Sequence, residues 1–244
     1  MAALIRRMSA SHAVIAGLLV VSGCSTEEAA SRPTATPTTE APSRPSRPVL
    51  TAEQLKALAL RDSEVPQAES VPVQDPVPEG ERRNSPPVSD ASCQRIFEVH
   101  NAENASAVVL QIFNWKKNIM GGGSTLASYD EAMAEGSFQQ LHYSITNCKS
   151  FTGVGPDGKF KAKITFEKAP DVGDEALSFH LIIPLPDGRG LRDEHHVFVR
   201  TGNVTASFEE LNVGEKAQFP LGLITKQVDR LTKRVDRLTT AQRA

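Results

Sequence analysis

Between Phe160 and Phe208 the chain alternates apolar and polar residues. In FKAKITFEK, Phe160, Ala162, Ile164 and Phe166 are separated by lysines and a threonine, the period-two pattern of a strand with one dry and one wet face. The turn sequence GPDGK precedes it, ALSFHLIIPLP runs into the turn DGRG, and HHVFVRTGNVTASFEE reads as two strands hinged at Thr201, Gly202 and Asn203. In the last of these Val204, Ala206 and Phe208 share a face. Successive strands joined by short turns pair as antiparallel neighbours, so this stretch predicts a meander.

Helical spacing supplies the cover for such a sheet. LTAEQLKALAL places Thr51 three residues before Gln54, a capping box, with Leu55, Leu58 and Ala59 as an apolar stripe. Cys93, Ile96 and Phe97 are helically spaced, and YDEAMAEGSFQQLHYSITNC predicts a helix ending near Cys148. The run ENASAVVLQIFNW is ambiguous, but its β-branched and aromatic content favours a strand approaching Trp115. Ser63 to Asp90 holds six prolines and predicts a long surface loop; Gly121 to Gly123 predicts a turn. At the carboxy terminus Leu221, Val228 and Val235 recur at seven, as do Ile224, Leu231 and Leu238 offset by three. The flanking Thr225, Thr232 and Thr239 offer no interchain charge pairs, so this amphipathic helix, 221–240, is expected on the protein's own sheet, with coiling against another chain as the alternative. The expected class is α+β: an antiparallel sheet backed by helices in one domain over residues 50–240.

The first 23 residues have the parts of a secretory signal: Arg6 and Arg7, a nine-residue apolar run from Ala13 to Val21, then Ser22 and Gly23. A spanning helix needs roughly 20 apolar residues, so this run does not qualify. Val21-Ser22-Gly23-Cys24 resembles the bacterial lipobox, with valine in place of its usual leucine. Cys24 is the expected lipid attachment site; each buried methylene adds about 0.8 kcal/mol and two acyl chains hold stably. The expected location is therefore the extracytoplasmic face of a cell membrane, with membrane lipid a partner through acylated Cys24. Residues 24–49 carry SRPTATPTTEAPSRPSRP, too poor in apolar side chains to build a core, and read as a semi-extended spacer.

Loss of the signal, which carries Arg6 and Arg7 and no acidic residue, takes the formal net charge from −2 to −4. A mildly acidic exported chain without a basic, aromatic-laced stripe argues against a nucleic-acid partner. With Cys24 given to lipid, Cys93 and Cys148 remain as an even pair in an oxidising compartment and predict one disulfide, two unpaired buried thiols being the alternative. Closing 55 residues removes about 4 kcal/mol of denatured-state freedom.

The order LTAEQL, SPPVSDASC, TNCKSFTGV, VGDEALSF, VFVRTGNV and a final amphipathic helix resembles the actinobacterial PknH-like extracellular sensor domain, over residues 50 to 240. That domain occurs outside receptor Ser/Thr kinases and in lipoproteins. The resemblance implies a sheet backed by helices with a cleft for a ligand, and no known chemistry. The kinase members carry two disulfides, whereas this chain offers only Cys93 and Cys148.

Candidate chemistry is sparse. RDEHHVF gathers Asp193, Glu194, His195 and His196, but adjacent strand residues point to opposite faces, so only one histidine can serve a given site, joined by His180 if the register allows. The expectation for this segment is a half-exposed strand edge, with no metal and no cofactor. MGGGST lacks a P-loop ending, and Asp171, Asp174 and Glu175 in DVGDEALSF surround a tight turn that the resemblance assigns to Gly173 and Asp174. No Gly-x-Ser-x-Gly or His-Glu-x-x-His occurs, and no catalytic residue is assigned. Two functions follow: a membrane-anchored sensor or ligand-binding module of the cell envelope, or a secreted envelope hydrolase with dispersed residues. An apolar-lined groove would indicate the first, a hydrogen-bonded polar cluster with a perturbed titratable group the second.

Overall fold

The computed structural model describes residues 49–74, 87–130, 133–155 and 158–241. The signal, Cys24, the spacer to Pro48 and residues 75–86 of the proline-rich stretch lie outside the described residues. In chain order the elements are α1 (Ala52–Leu58), β1 (Ala68–Ser70), α2 (Ala91–His100), β2 (Ala107–Trp115), β3 (Gly122–Ser128), α3 (Met133–Asn147), β4 (Ser150–Gly155), β5 (Gly158–Glu167), β6 (Glu175–Pro184), β7 (Leu191–Thr201), β8 (Val204–Val213) and α4 (Leu221–Ala241).

Local chemistry sets the helix starts. Thr51 Oγ1 accepts the Gln54 amide at 3.3 Å and Gln54 Oε1 accepts the Thr51 amide at 2.9 Å, so the capping box of α1 forms as its spacing requires. Asp90 Oδ1 caps α2 by accepting the Cys93 amide at 3.0 Å. Before β6, Gly173 has φ +68°, and a Cβ there would sit 2.7 Å from the Arg200 carbonyl oxygen, so only glycine fits the turn. Asp174 completes that turn by accepting from the Gly202 amide at 2.7 Å and from the Arg200 guanidinium at 3.2 Å.

One eight-stranded sheet results, ordered β1-β2-β3-β8-β7-β6-β5-β4, with every pair antiparallel. The run β5 to β8 is the expected meander, and β4 adds to its far edge. Its last strand then pairs with β3, so the earlier hairpin β2–β3 extends the same sheet.

Helices cover both faces, in staggered halves. On one face Val109, Phe113, Leu126, Val197, Val199 and Phe208 pack with Leu55, Ile224, Val228 and Leu231 of α1 and α4. On the other, Phe151, Ile164, Phe179, Leu181 and Phe198 pack with Ile96, Phe138, Leu141 and Ile145 of α2 and α3, whose ends the Cys93–Cys148 disulfide joins. The first layer sits over β2, β3, β8 and β7, the second over β4 to β7. Among the described residues each layer thus stops part-way across its face, and a small third cluster of Ala102, Ala105, Ala127, Tyr129 and Ala134 continues the α2–α3 side over β3.

Three expectations need correction, and one unassigned segment is a strand. The stretch 63–90 is not simply a surface loop: it holds β1, and Val65, Ala68 and Val71 are buried. Gln111 reaches back from β2 to hold it, donating to the Leu60 carbonyl at 2.6 Å and the Val71 carbonyl at 2.8 Å. Gly122 and Gly123 are not a turn but the start of β3. The segment Ser150–Gly155, unassigned from its pattern, is the edge strand β4. RDEHHVF is not a half-exposed edge, since β7 lies inside the sheet and His195 and His196 are both buried. The carboxy-terminal helix does pack on its own sheet; Leu221, although in register with the stripe, stays more than half exposed.

Candidate functional site

The chemistry lies where each helix layer stops, and β7 feeds both places. Register pairs His180 of β6 with His195 of β7, so their rings stack at 4.8 Å on the α4 side of the sheet. His196, one residue on, points the other way and pairs across β8 with Glu209.

On the α4 side the polar groups form a closed network. His180 Nδ1 lies 2.6 Å from Asp193 Oδ1 and its Nε2 2.9 Å from Glu167 Oε2. Glu167 Oε1 accepts from Lys216 Nζ at 2.7 Å. The bonds from Lys216 and His180 hold the Glu167 carboxyl down at about 2, against the raising effect of burial. His195 Nε2 is 2.9 Å from Ser178 Oγ and 3.3 Å from Glu167 Oε2. Its Nδ1 accepts the Phe219 amide at 3.0 Å.

That last bond decides the tautomer. A nitrogen that accepts an amide hydrogen keeps its lone pair, so the ring hydrogen of neutral His195 sits on Nε2. Burial, followed by repulsion from His180, lowers His195 to about 4, and the ring is neutral at pH 7. Its Nε2–H therefore donates toward Ser178 and Glu167. A serine nucleophile needs the reverse, a histidine whose Nε2 accepts the hydroxyl proton. The same hydrogen blocks Nε2 as a metal donor, although Glu167, His180 and His195 bring one donor atom each within 4.8 Å of one another.

Beside this network a cavity of about 350 Å³ opens under the first turn of α4. Val197, Phe219, Leu221 and Ile224 form its apolar side; Glu167 and Ser178 are among its polar groups.

On the α2 side the cluster is more open. His100, the last residue of α2, places Nε2 3.2 Å from Glu209 Oε2. His196 Nε2 lies 3.4 Å from Glu194 Oε2, and the other Glu194 oxygen pairs with Arg192 at 2.6 Å. The His196 ring is stacked on Phe179 at 5.0 Å and meets the His100 ring edge-on at 4.9 Å. Its Nδ1 is buried with no hydrogen-bond partner among the described residues. Burial acts to raise the Glu209 carboxyl, but the His100 bond and the nearby His196 and Arg192 bring it to about 2. A smaller cavity, about 180 Å³, borders His100 and Glu209.

Of the residues singled out in sequence, His180, His195 and Asp193 meet on one side and His196 and Glu194 on the other; Cys93 and Cys148 are bonded. Asp171 lines the larger cavity, while Asp174 and Glu175 bind Arg200 at the turn. Glu167, Ser178, His100 and Glu209 were not anticipated. Strand parity places Ser178 with His180, two residues apart, but Glu167 and Glu209 join only through cross-strand register, and His100 through helix packing.

No family model and no curated protein sequence matches the chain. Among solved structures it is similar to the extracellular domain of PknH from Mycobacterium tuberculosis, with a TM-score of 0.55 at 15% identity, over 78% of this chain and 99% of that one. The likeness establishes a shared fold, the one the sequence resemblance implied.

Proposed function

We propose that the chain is a lipid-tethered extracytoplasmic binding module of the sensor type, and that its ligand enters the cavity beneath the start of α4. The observation that carries this reading is the cavity's make-up: an apolar wall of Val197, Phe219, Leu221 and Ile224 facing a few fixed polar groups, at about 350 Å³. Small-molecule sites commonly combine an apolar lining with a few placed polar groups. A ligand with an apolar body and a hydroxyl- or amine-bearing head suits it, the head facing the Glu167 carboxylate. The fold shared with the extracellular domain of PknH agrees with this reading. The tether rests on Val21-Ser22-Gly23-Cys24; among the described residues no helix is long and apolar enough to cross a membrane.

Envelope lipids, peptidoglycan fragments and glycans are to be screened by thermal shift on the parent and on Leu221→Trp, which fills the cavity from its exposed rim. A ligand that stabilises the parent and not the variant is expected. A shift that survives Leu221→Trp would remove the cavity from consideration. For the tether, Cys24→Ala should leave an unprocessed precursor or a soluble protein, and unchanged partition into detergent would refute it.

The hydrolase reading has one observation in its favour, the Ser178–His195–Glu167 chain of contacts, with two perturbed groups beside a cavity. The His195 tautomer opposes it. Turnover of a chromogenic ester, peptide or glycoside that disappears in Ser178→Ala would reverse the preference.

A further inference from the structure

We propose that His100, His196 and Glu209 form a three-ligand site for a divalent transition-metal ion of the zinc type, with its remaining position open to the cavity on the α2 side. The site involves none of the residues of the α4 cavity and stands or falls apart from it.

Two imidazoles and one carboxylate are a ligand set that zinc-like ions take, leaving a position for water or a ligand. Each of the three residues here brings one donor atom to within 4.8 Å of the other two. Zinc–ligand lengths of about 2.0–2.2 Å put tetrahedral donors roughly 3.3–3.6 Å apart, so closure by an ångström or so is needed. One contact already has that spacing, His100 Nε2 to Glu209 Oε2 at 3.2 Å. His100 ends α2, where the last turn can adjust, and Glu209 is half exposed.

The surroundings suit a ligated histidine. Metal-bound imidazoles usually give their other N–H to a carboxylate or carbonyl, which fixes ring and tautomer. His196 has such a carboxylate in Glu194, itself pinned by Arg192, while its Nδ1 is buried and unpartnered among the described residues. A donation to Glu194 from Nε2 leaves that Nδ1 lone pair without a hydrogen bond. The floor is shaped for the carboxylate as well. Gly123 lies opposite Glu209 on β3, and a Cβ there would come within 3.0 Å of Glu209 Oε1. The cavity that His100 and Glu209 line is also lined by Ser207, whose buried hydroxyl has no hydrogen-bond partner among the described residues.

The contrast with the cluster across the sheet is informative. There both nitrogens of both rings have partners, and the Phe219 amide commits His195 Nδ1. Of the two groupings, only the one on the α2 side leaves a buried ring nitrogen unengaged.

The test uses the full-length, tag-free chain, stripped with chelator and titrated with zinc by calorimetry and with cobalt by absorbance. One equivalent is expected, with the visible bands of a low-symmetry cobalt site. Glu194→Gln, which touches His196 and not the metal, should weaken zinc about 10–100-fold. His100→Ala and Glu209→Gln should weaken it further, cooperative melting of each metal-free variant showing that it still folds. His180→Asn should leave affinity unchanged. No binding at millimolar zinc, binding untouched by both His100→Ala and Glu209→Gln, or binding lost in His180→Asn would each overturn the proposal.

Discussion

His195 and His196 are chain neighbours in one buried strand, yet they live in opposite kinds of site. His195 faces the α4 side, where the Phe219 amide, Ser178 and Glu167 engage both of its nitrogens. His196 faces the α2 side, where one nitrogen meets Glu194 and the other, buried, meets nothing among the described residues. Burial alone therefore says little about a histidine's role. A main-chain donor fixes a tautomer and closes a ring to chemistry; the lack of one leaves a lone pair for a ligand. The staggered helices produce both situations, because each layer stops part-way across the sheet and polar side chains gather where it ends.

The strongest way to break this comparison is to remove one layer. Ending the chain after Pro220 deletes α4 and uncovers Val197, Val199 and Phe208. Leu223, Ile224, Val228, Leu231 and Val235 are buried in that layer, and at about 1.5–3 kcal/mol each their loss rivals the 5–15 kcal/mol of a whole domain. Loss of cooperative melting is expected; a truncated chain that melts at the parent temperature would show that α4 does not complete the core.

The α2–α3 layer is held differently, by a covalent tie over a separation of 55 residues. Replacing Cys93 and Cys148 by serine should cost about 4 kcal/mol in denaturant titration, leaving the fold cooperative. A change below about 1 kcal/mol would mean that packing of Phe138, Leu141 and Ile145 holds this layer unaided.

Acid should act on the α4 side first. His195 is lowered from 6.5 to about 4, so the unfolded chain binds its proton more readily than the folded one. Its contribution is full above pH 6.5 and lost as pH falls toward 4, at most on the order of 3 kcal/mol. Glu167 and Glu209, both lowered from 4.5 to about 2, act only below pH 4.5. His195→Gln should therefore flatten the stability profile between pH 6.5 and 4.5 and leave the lower limb in place. An unchanged upper limb would mean that His195 is not the group that acid reaches first.

The smallest expected effect is at Gly123. Its added Cβ in Gly123→Ala would press on the far end of Glu209, a flexible and half-exposed side chain. Stability should stay within about 0.5 kcal/mol of the parent. Zinc affinity should fall nonetheless, since the carboxylate is displaced; equal affinity would show that Glu209 does not need that floor.

Periodicity and turn chemistry made much of the fold legible. The alternation from Phe160 to Phe208 specified β5 to β8 and their order, because tight turns leave antiparallel neighbours as the simple outcome. Thr51 and Gln54 announced α1, and the heptad spacing of α4 announced a helix with one apolar face. The short strands β1, β3 and β4 were hidden for a common reason. Prolines surround Ala68, two glycines open β3, and β4 carries two more, so local propensity argues against strands that neighbouring backbone then enforces. Gln111, polar in an apolar run, gave no sign that its amide would anchor the stretch before β1.

The candidate sites divide along the same line. Strand parity alone separates His195 from His196, and it puts Ser178 with His180, since side chains in a strand must alternate. Which residues meet them depends on register and on where helices end. Pairing of β5 with β6 brings Glu167 to His180 and pairing of β7 with β8 brings Glu209 to His196. Only the approach of the loop before α4 delivers the Phe219 amide to His195, and only the packing of α2 brings His100 from 96 residues away to His196. A sequence states which face a side chain takes, because that is local geometry. What stands opposite is decided by long-range pairing and packing, and with it the tautomer, the open lone pair and the chemistry.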